Sequence, residues 1–307
     1  MSFKLKKIRL DLKVNWKISR NESLFKENFI LSYKGFESEI APNIRYHETV
    51  EIITENFNDL ILTNTYNPNW CHSFQNAYFN LLLKEKSKND IYSYLNLEKL
   101  EFIETSFSIP MMNVHEIKNY LATNFDYSCY KIKIKDLTSI DLIHEIHKHT
   151  DKSLRIDANE GFQSLDEYLK FEKEIQHYNI QFIEQPFPKS DVDNYIALKK
   201  ISKFKIFADE SIEDHFDASL LVDQFHGVNI KLMKAQGIEN AKKLLLSAKA
   251  VGMETMIGCM IETSLGISEA YTLASLCDYC DLDGALLLQD DPYEDYFNRE
   301  GSKLYLK

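Results

Sequence analysis

The chain has 307 residues, of which 44% are hydrophobic, and it carries 36 Lys and Arg against 47 Asp and Glu, a formal net charge of −11. Such an acidic chain is not expected to bind nucleic acid, because phosphate binding relies on a basic surface. No apolar stretch is long enough to span a membrane, and the N-terminus lacks a signal-peptide pattern, which predicts a cytoplasmic protein without a membrane partner. Five cysteines are too few, and odd in number, for a disulfide framework.

The first hundred residues predict a small α+β domain. KKIRLDLKVNW and ENFILSYKGF are typical of two antiparallel strands, and HETVEIITENF and CHSFQNAYFNLLLKEK are typical of helices. The C-terminal SKLYLK has the alternating character of a strand and is predicted to return to this domain. We therefore assign residues 1–100, with 296–307, to one domain.

Residues 101–295 contain a repeat of strand and helix. Eight apolar, β-branched-rich segments begin near residues 102, 130, 154, 180, 205, 227, 254 and 279, at steps of 22 to 28 residues. Helical patterns lie between them, with apolar stripes over 164–178 and 237–252. This alternation predicts an α/β fold, a parallel barrel in which the carboxyl ends of the strands converge on one mouth.

Three carboxylates end successive apolar segments. Asp157 lies in LRIDANEGF, Glu184 in FIEQPF and Asp209 in FADES. A helix cap would explain any one of them, but three in successive strands favour a metal site, because hard divalent cations prefer oxygen ligands. Asn159 and Glu210 lie beside these ligands in sequence and are assigned to the surroundings of the metal.

Lysines lie in the segments on both sides of the carboxylates. Lys131, Lys133 and Lys135 alternate with isoleucines and share one strand face, and Lys231 lies late in VNIKL. In a barrel strand that is buried on both faces, lysines are costly, which favours a functional role over a solvated stripe. Glu262, in the loop after the seventh strand, is a further site acid or a helix cap.

These segments resemble the enolase superfamily, in its muconate lactonizing enzyme subgroup. The matching motifs are the K-x-K of KIKIK, DANEGF, EQPF, ADES, NIKLMKAQGI and GCMIETSLG. The resemblance implies a modified TIM barrel, (β/α)7β, with an N-terminal capping domain over the substrate. It also implies an enzyme that removes the proton next to a carboxylate, giving an enolate stabilised by one divalent ion, usually Mg²⁺, which acts as a Lewis acid.

The family pattern also favours one register of the K-x-K motif. It places an acidic residue eight positions after the second lysine, and Asp141 follows Lys133 by eight. Lys133 is then the base and Lys131 the residue that modulates its pKa, with Lys133-x-Lys135 as the alternative. Lys231 would face Lys133 across the barrel, and bases on opposite faces of one enolate permit racemisation or epimerisation.

Two further features bear on the substrate. Asp281 and Asp283, on one face of the eighth strand, resemble the D-x-D with which dipeptide epimerases bind the α-ammonium group of the substrate. Arg20, between the first two strands, resembles the arginine that some Ala-Glu epimerases use for the glutamate side chain. An acidic dipeptide would suit such an arginine.

The predicted protein is an isomerase, a Mg²⁺-dependent epimerase of L-Ala-D/L-Glu or a related dipeptide. Alternatives in the same superfamily are o-succinylbenzoate synthase, N-succinylamino acid racemase and a cycloisomerase, whose substrates lack a free α-ammonium group. A non-catalytic metal-binding barrel is a more distant alternative. The predicted partner is a small-molecule carboxylate, and the sequence leaves open whether the protein forms a homo-oligomer.

Overall fold

The computed structural model describes residues 2–18 and 21–307. Within these residues, the N-terminal part has three antiparallel strands, in the order β1-β2-β3, and three helices. The strands are β1 (Lys4–Ile18), β2 (Asn21–Tyr33) and β3 (Phe36–Ile40), and the helices are α1 (Val50–Thr63), α2 (His72–Lys86) and α3 (Ile91–Leu95). Phe29, Leu31 and Ile40 on the sheet pack with Ile53 and Phe74 on the helices. The two predicted strands and the two predicted helices are present.

Eight parallel strands form a nearly closed barrel, hydrogen-bonded in the order β5 to β12. After the short strand β4 (Ile103–Glu104), they are β5 (Phe107–Ile109), β6 (Cys129–Lys133), β7 (Ser153–Asp157), β8 (Ile180–Glu184), β9 (Lys205–Ala208), β10 (Gly227–Lys231), β11 (Glu254–Gly258) and β12 (Tyr279–Asp281). A bridge between Thr105 and Cys280 joins the last strand to the residues before β5. The predicted modified TIM barrel is confirmed.

Helices follow the barrel strands and cover the outside of the barrel. They are α4 (Ile117–Thr123), α5 (Ile140–His149), α6 (Leu165–Ile175), α7 (Val192–Ile201), α8 (Ala218–Leu221), α9 (Leu232–Ala235), α10 (Ile238–Ala250) and α11 (Ser264–Tyr271). In α6, the Ser164 hydroxyl accepts a hydrogen bond from the Glu167 N–H at 3.2 Å, and Tyr168, Phe171 and Ile175 are fully buried. The N-cap and the apolar stripe together explain why this segment is helical. Among the helices described, none is both long and apolar enough to cross a membrane.

The two ends of the barrel part differ from the prediction. The segment expected to form one strand divides into β4 and β5, because Thr105 pairs with Cys280 and its Oγ1 accepts a hydrogen bond from the Leu282 N–H at 2.8 Å. The C-terminal segment forms β13 (Phe297–Glu300) and β14 (Lys303–Leu306), and β14 pairs with β4. The extra strand therefore forms, but it does not join the β1-β2-β3 sheet.

A buried carboxylate of the N-terminal part holds the start of a barrel helix. Glu39 on β3 accepts hydrogen bonds from the N–H groups of Thr263 and Gly266, at 3.0 and 3.2 Å, and from Asn28 Nδ2 at 2.8 Å. Thr263 is the N-cap of α11, so Glu39 satisfies amide groups that the helix itself cannot pair. The N-terminal sheet is thereby fixed against the loop that follows β11.

Helix α11 also carries a buried carboxylate that binds side chains of the N-terminal part. Glu269 on α11 is 1% exposed and accepts hydrogen bonds from Ser38 Oγ, Asn80 Nδ2 and Lys84 Nζ, at 2.9, 2.8 and 2.6 Å. A buried carboxylate with three donors, one of them cationic, meets the requirement for burying a charge. The two parts of the chain therefore share a paired, polar seam beside the barrel mouth.

Replacing Glu39 with glutamine should lower the free energy of unfolding by about 2 kcal/mol, because an NH₂ group would face donors that now have an acceptor. Burial raises the pKa of Glu39 to about 7, although its hydrogen bonds act to lower it, so the comparison belongs at pH 8, where the carboxylate predominates. Urea unfolding of Glu39→Gln against Glu37→Gln, an exposed position on the same strand, measures the effect. Equal stability of the two variants would contradict the role of Glu39 in the seam.

Candidate active site

The barrel interior changes from apolar to charged toward the carboxyl ends of its strands. Phe182, Phe207 and Met256 are fully buried and pack together low in the barrel. Glu184 lies two residues after Phe182 on β8, and Asp209 lies two residues after Phe207, directly after β9. Successive inward positions on a strand are two residues apart, so these carboxylates form the layer above the apolar plug. The predicted convergence on one mouth is present.

Three carboxylates of this layer lie within reach of one metal ion. Asp157, Glu184 and Asp209 are 0%, 0% and 2% exposed, and each offers one oxygen atom within 4.8 Å of the others. Oε2 of Glu184 accepts no hydrogen bond of normal geometry, although Nζ of Lys131 lies 2.7 Å away. Clustered carboxylate oxygens with spare acceptor capacity fit the oxygen ligands that Mg²⁺ prefers.

The electrostatics of the cluster reflect burial and the neighbouring amines. Burial raises the pKa of Glu184 to about 8, an effect that Lys131 opposes and Asp157 reinforces. Burial would also raise the pKa of Asp209, but the amines of Lys231 and Lys234 outweigh it and hold that pKa well below its usual range. Positive charge near these carboxylates therefore stabilises their ionised form.

Neighbouring side chains hold the ligand carboxylates in place. Asn229 Nδ2 donates to Glu184 Oε1 at 2.8 Å, and a side chain at Gly258 would lie 2.4 Å from the Asn229 amide oxygen, so glycine is needed there. Gln185 has a positive φ of 41° and accepts a hydrogen bond from the Asp209 N–H at 2.9 Å. Such outer partners fix the orientation of the ligands.

Two lysines flank the carboxylates from opposite sides of the barrel. Lys133 ends β6 and Lys231 ends β10, and these strands are four positions apart among eight. The Lys133 amine is hydrogen-bonded to Asp157, and Lys231 Nζ donates to Asp209 Oδ2 at 2.7 Å. Lys135 has a mostly exposed side chain outside this cluster. The structure thus brings the Lys131-x-Lys133 pair, and not Lys135, into the barrel.

Lys131 lies between the two sides of the barrel. Its side chain is 1% exposed, and Nζ lies 2.7 Å from Glu184 Oε2, 2.8 Å from Asp281 Oδ2 and 3.2 Å from Asp157 Oδ2. Burial would lower the pKa of this amine, but Asp281 and Glu184 outweigh it, and the pKa is raised. Lys131 is therefore a fixed cation beneath the carboxylates.

The predicted D-x-D pair lies across the barrel from Glu184, because β12 and β8 are also four strands apart. Asp281 Oδ1 accepts a hydrogen bond from Ser106 Oγ at 2.6 Å, and Asp283 Oδ2 accepts one from the Ser108 N–H at 2.6 Å. Burial and the charge of Asp281 raise the pKa of Asp283 to about 6. A carboxylate has about four acceptor positions, so both residues keep acceptor capacity.

The remaining predicted residues lie in three different environments. Asn159 and Glu210 are buried beside the metal ligands, with Asn159 Nδ2 donating to Glu210 Oε1 at 3.1 Å. Glu262 is buried at the seam with the N-terminal part, where burial and nearby Glu39 raise its pKa. Arg20 lies outside the described residues.

Two buried cations near the site were not among the predicted residues. Lys234 Nζ donates to Asp209 Oδ1 at 2.5 Å and to its backbone oxygen at 2.6 Å. Arg155 donates to the Cys280 backbone oxygen at 2.7 Å and to Ser106 Oγ at 3.1 Å, and Ser106 in turn holds Asp281. Arg155 is two residues before Asp157 in LRIDAN, so strand alternation places both on one face.

A parallel barrel whose mouth carries three clustered carboxylates between two opposed lysines defines a metal-dependent enzyme. Residues 114–303 match the family model described as enolase C-terminal domain-like. The chain is 30% identical over 313 residues to an L-Ala-D/L-amino acid epimerase of Flavobacterium johnsoniae, across 95% of this chain and 93% of that protein. It is also 36% identical over 200 residues to an L-Ala-D/L-Glu epimerase of Bacteroides thetaiotaomicron, across 65% of this chain and 52% of that one.

The chain therefore belongs to the enolase superfamily, as its motifs predict. Among solved structures, a substrate-liganded L-Ala-D/L-Glu epimerase from Bacillus subtilis has a TM-score of 0.88 at 23% identity, covering 100% of this chain and 96% of that one. A dipeptide epimerase from Cytophaga hutchinsonii, complexed with Mg and D-Ala-L-Val, has a TM-score of 0.88 at 22% identity, covering 99% and 92%. These likenesses extend over the N-terminal part as well as the barrel.

Proposed function

We propose that this protein is a Mg²⁺-dependent epimerase of dipeptides, acting on L-Ala-D/L-Glu or a related dipeptide. The observation that carries the proposal is the placement of two opposed pairs around the barrel. Glu184 on β8 faces Asp281 on β12, and Lys133 on β6 faces Lys231 on β10. A dipeptide has a carboxylate at one end, which a metal ion on Glu184 would bind, and an ammonium group at the other end, which Asp281 would bind. Its second α-carbon then lies between the lysines of the second pair.

Asp157, Glu184 and Asp209 would hold the Mg²⁺ ion, and the two aspartates of β12 would bind the substrate ammonium group. When bound, the metal would supply positive charge beside the substrate carboxylate, and this charge would make the proton on the α-carbon more acidic. One lysine, in its neutral form, takes the α-proton as the C–H bond breaks. The other, as an ammonium, donates a proton to the opposite face of the same carbon, and the configuration inverts.

Charge around Lys231 decides its protonation state. Burial and nearby Lys131 would lower the pKa of Lys231, but Asp209, Glu184 and Asp157 outweigh them and raise it, which favours the ammonium form. Lys231 can therefore supply the ammonium group that donates a proton to one face, and Lys133 has the role of the base on the opposite face.

We extend the proposal to the organisation of the chain. Residues 1–100 act as a capping domain over the catalytic barrel of residues 101–295, and the paired seam at Glu39 and Glu269 supports this division. Arg20, in the connection between β1 and β2, binds the side chain of the second substrate residue. The protein acts in the cytoplasm on a small dipeptide, and size-exclusion chromatography with light scattering tests whether it does so as a homo-oligomer.

Incubation with Mg²⁺ and a panel of dipeptides in D₂O tests the function. Mass spectrometry should show a gain of one mass unit, and chiral analysis should show inversion at the C-terminal residue only. L-Ala-L-Glu and dipeptides with other second residues belong in the same panel, since related proteins are named for different side chains. Turnover of an N-succinylamino acid without exchange in any dipeptide would contradict the proposal.

The pH dependence of kcat/KM should report the ionisation of Asp283. The carboxylate binds the substrate ammonium group, and its pKa is raised to about 6, so kcat/KM should fall about tenfold per pH unit below that value. The sign follows because protonation removes the negative charge that attracts the ammonium group. Initial rates between pH 4.5 and 8, with dipeptide concentration varied, give the profile.

Asp283→Asn should lower kcat/KM at neutral pH and remove the fall near pH 6. Asp290→Asn, an exposed position in the same segment, is the matched control and should keep the full profile. An unchanged acid limb in Asp283→Asn would mean that another group titrates there and that Asp283 does not bind the substrate.

A further inference from the structure

Arg45 reaches from the capping domain to the barrel mouth. It lies in the turn Ile44–Tyr46, between β3 and α1. Nη1 of its guanidinium lies 2.7 Å from Glu210 Oε1, and Nη2 donates to Glu160 Oε2. The arginine side chain is 22% exposed and the two carboxylates are 10% and 4% exposed, so both ion pairs are largely shielded from solvent.

The two carboxylate partners lie in the loops that carry metal ligands. Glu160 follows Asp157 by three residues, and Glu210 directly follows Asp209. Asn159 connects the loops, since its Nδ2 donates to Glu210 Oε1 and its N–H donates to Asp157 Oδ1 at 3.2 Å. A residue of the capping domain is therefore joined to both loops by direct contacts.

The backbone of the first loop is in an unfavourable conformation. Asn159 and Glu160 have positive φ angles of 45° and 62°, a region that favours glycine. Such conformations persist where surrounding contacts fix them. Glu160 Oε1 accepts a hydrogen bond from the Lys189 N–H at 2.7 Å, and its other oxygen is held by Arg45. Both oxygen atoms of Glu160 thus help to fix the loop.

Tyr46, which follows Arg45 in the turn, lies close to the carboxylates proposed to bind the metal. Lys234 Nζ is 5.9 Å from the centre of the Tyr46 ring, and the same amine is hydrogen-bonded to Asp209. Burial and the charge of Asp209 raise the pKa of Tyr46, which keeps its hydroxyl neutral. The turn that carries Arg45 is therefore seated on the rim of the barrel, beside the site.

We propose that Arg45 is a positioning residue that docks the capping domain on the barrel by bridging Glu160 and Glu210. This inference rests on the proposed function, in which the docked cap binds the dipeptide. A planar guanidinium offers donors in a fixed fork that suits two carboxylates on different sides, whereas a lysine amine acts as a point charge. Removing the arginine leaves two shielded carboxylates without this cation, which favours separation of the cap from the rim.

The kinetic consequence follows from the fraction of protein that is docked. When only a fraction of the protein is competent to bind, the apparent dissociation constant rises in inverse proportion to that fraction. Saturating substrate restores the docked state, so kcat should change little. Loss of Arg45 should therefore raise KM by about tenfold or more, with kcat within about threefold of the wild type.

The test compares Arg45→Met, Arg45→Lys and Glu160→Gln in the full chain. Lys189→Met is the matched control, because Lys189 forms an exposed ion pair with Glu213 on the same rim. KM and kcat are measured for the best dipeptide, and hydrogen exchange is followed for the amides of residues 43–48. Arg45→Met should raise KM and speed exchange in this turn, Arg45→Lys should have a smaller effect, and Lys189→Met should behave as the wild type.

Unchanged KM and unchanged exchange in Arg45→Met would overturn the inference, and so would a fall in kcat at constant KM, which would place Arg45 in the chemical step. If Arg45→Met does not fold, Glu160→Gln should raise KM and speed exchange in its place, and Arg45→Lys should do both to a smaller extent. A wild-type protein that turns over no dipeptide would contradict the proposed function instead. The exchange of the turn in the variants would still decide whether Arg45 docks the cap.

Discussion

Replacing Lys133 with alanine should slow epimerisation in both directions, with kcat falling about 10²- to 10⁴-fold, which is the usual contribution of a positioned acid or base. Exchange of the α-proton with D₂O should nevertheless continue for one epimer of the dipeptide. Lys231 stands on the opposite side of the barrel and can still remove the proton that faces it. Lys231→Ala should give the complementary result, with exchange confined to the other epimer. NMR of each pure epimer in D₂O with Mg²⁺ measures the exchange.

Lys135→Ala is the control for this pair, because Lys135 has a mostly exposed side chain outside the cluster. It should keep both epimerisation and exchange. Exchange of both epimers in Lys133→Ala would contradict the assignment, since a single lysine would then serve both faces. Loss of activity in Lys135→Ala with full activity in Lys131→Ala would favour the other register of the motif.

Replacing Glu184 with glutamine should weaken Mg²⁺ binding by more than about 100-fold, because loss of an outer partner alone typically costs 10- to 100-fold and Glu184 is proposed as a ligand itself. The change keeps the shape of the side chain and removes its charge. It also removes one of the buried partners of Lys131, whose Nζ lies 2.7 Å from Glu184 Oε2. Titration calorimetry of the metal-free protein with MgCl₂ measures the affinity.

Glu174→Gln makes the same chemical change at an exposed position on α6 and should leave Mg²⁺ affinity unchanged. The two variants together separate loss of a ligand from loss of one negative charge in an acidic protein. Equal affinity of Glu184→Gln and the wild type would place the metal elsewhere than on Asp157, Glu184 and Asp209.

Much of the fold could be predicted because a barrel repeats a local pattern. Buried strands are short apolar segments, and their spacing of 22 to 28 residues leaves room for one helix between neighbours. The ends of the barrel could not be predicted in the same way. Whether Ile103 pairs with β14 or continues into β5 depends on the contact of Thr105 with Cys280, which is far away in the sequence.

The same distinction explains which residues of the proposed site the sequence indicates. Asp157 and Glu184 end strands of the repeat, so their position in the sequence determines their position at the mouth. Arg45 has no such signal, because it lies in a turn of the N-terminal part, and its partner Glu160 is 115 residues away. Lys234 looks like a residue of a solvated turn, and only the short helix after β10 turns it back toward Asp209.

The most direct test of the central claim is the position of deuterium early in the reaction. A single epimer of the best dipeptide is incubated with the wild-type protein and Mg²⁺ in D₂O, and the reaction is stopped at low conversion. Transfer between opposed lysines predicts deuterium at the α-carbon of the C-terminal residue in the inverted product, with little in the remaining substrate. Inverted product without deuterium, deuterium at the first residue, or the same turnover after removal of the metal would contradict it.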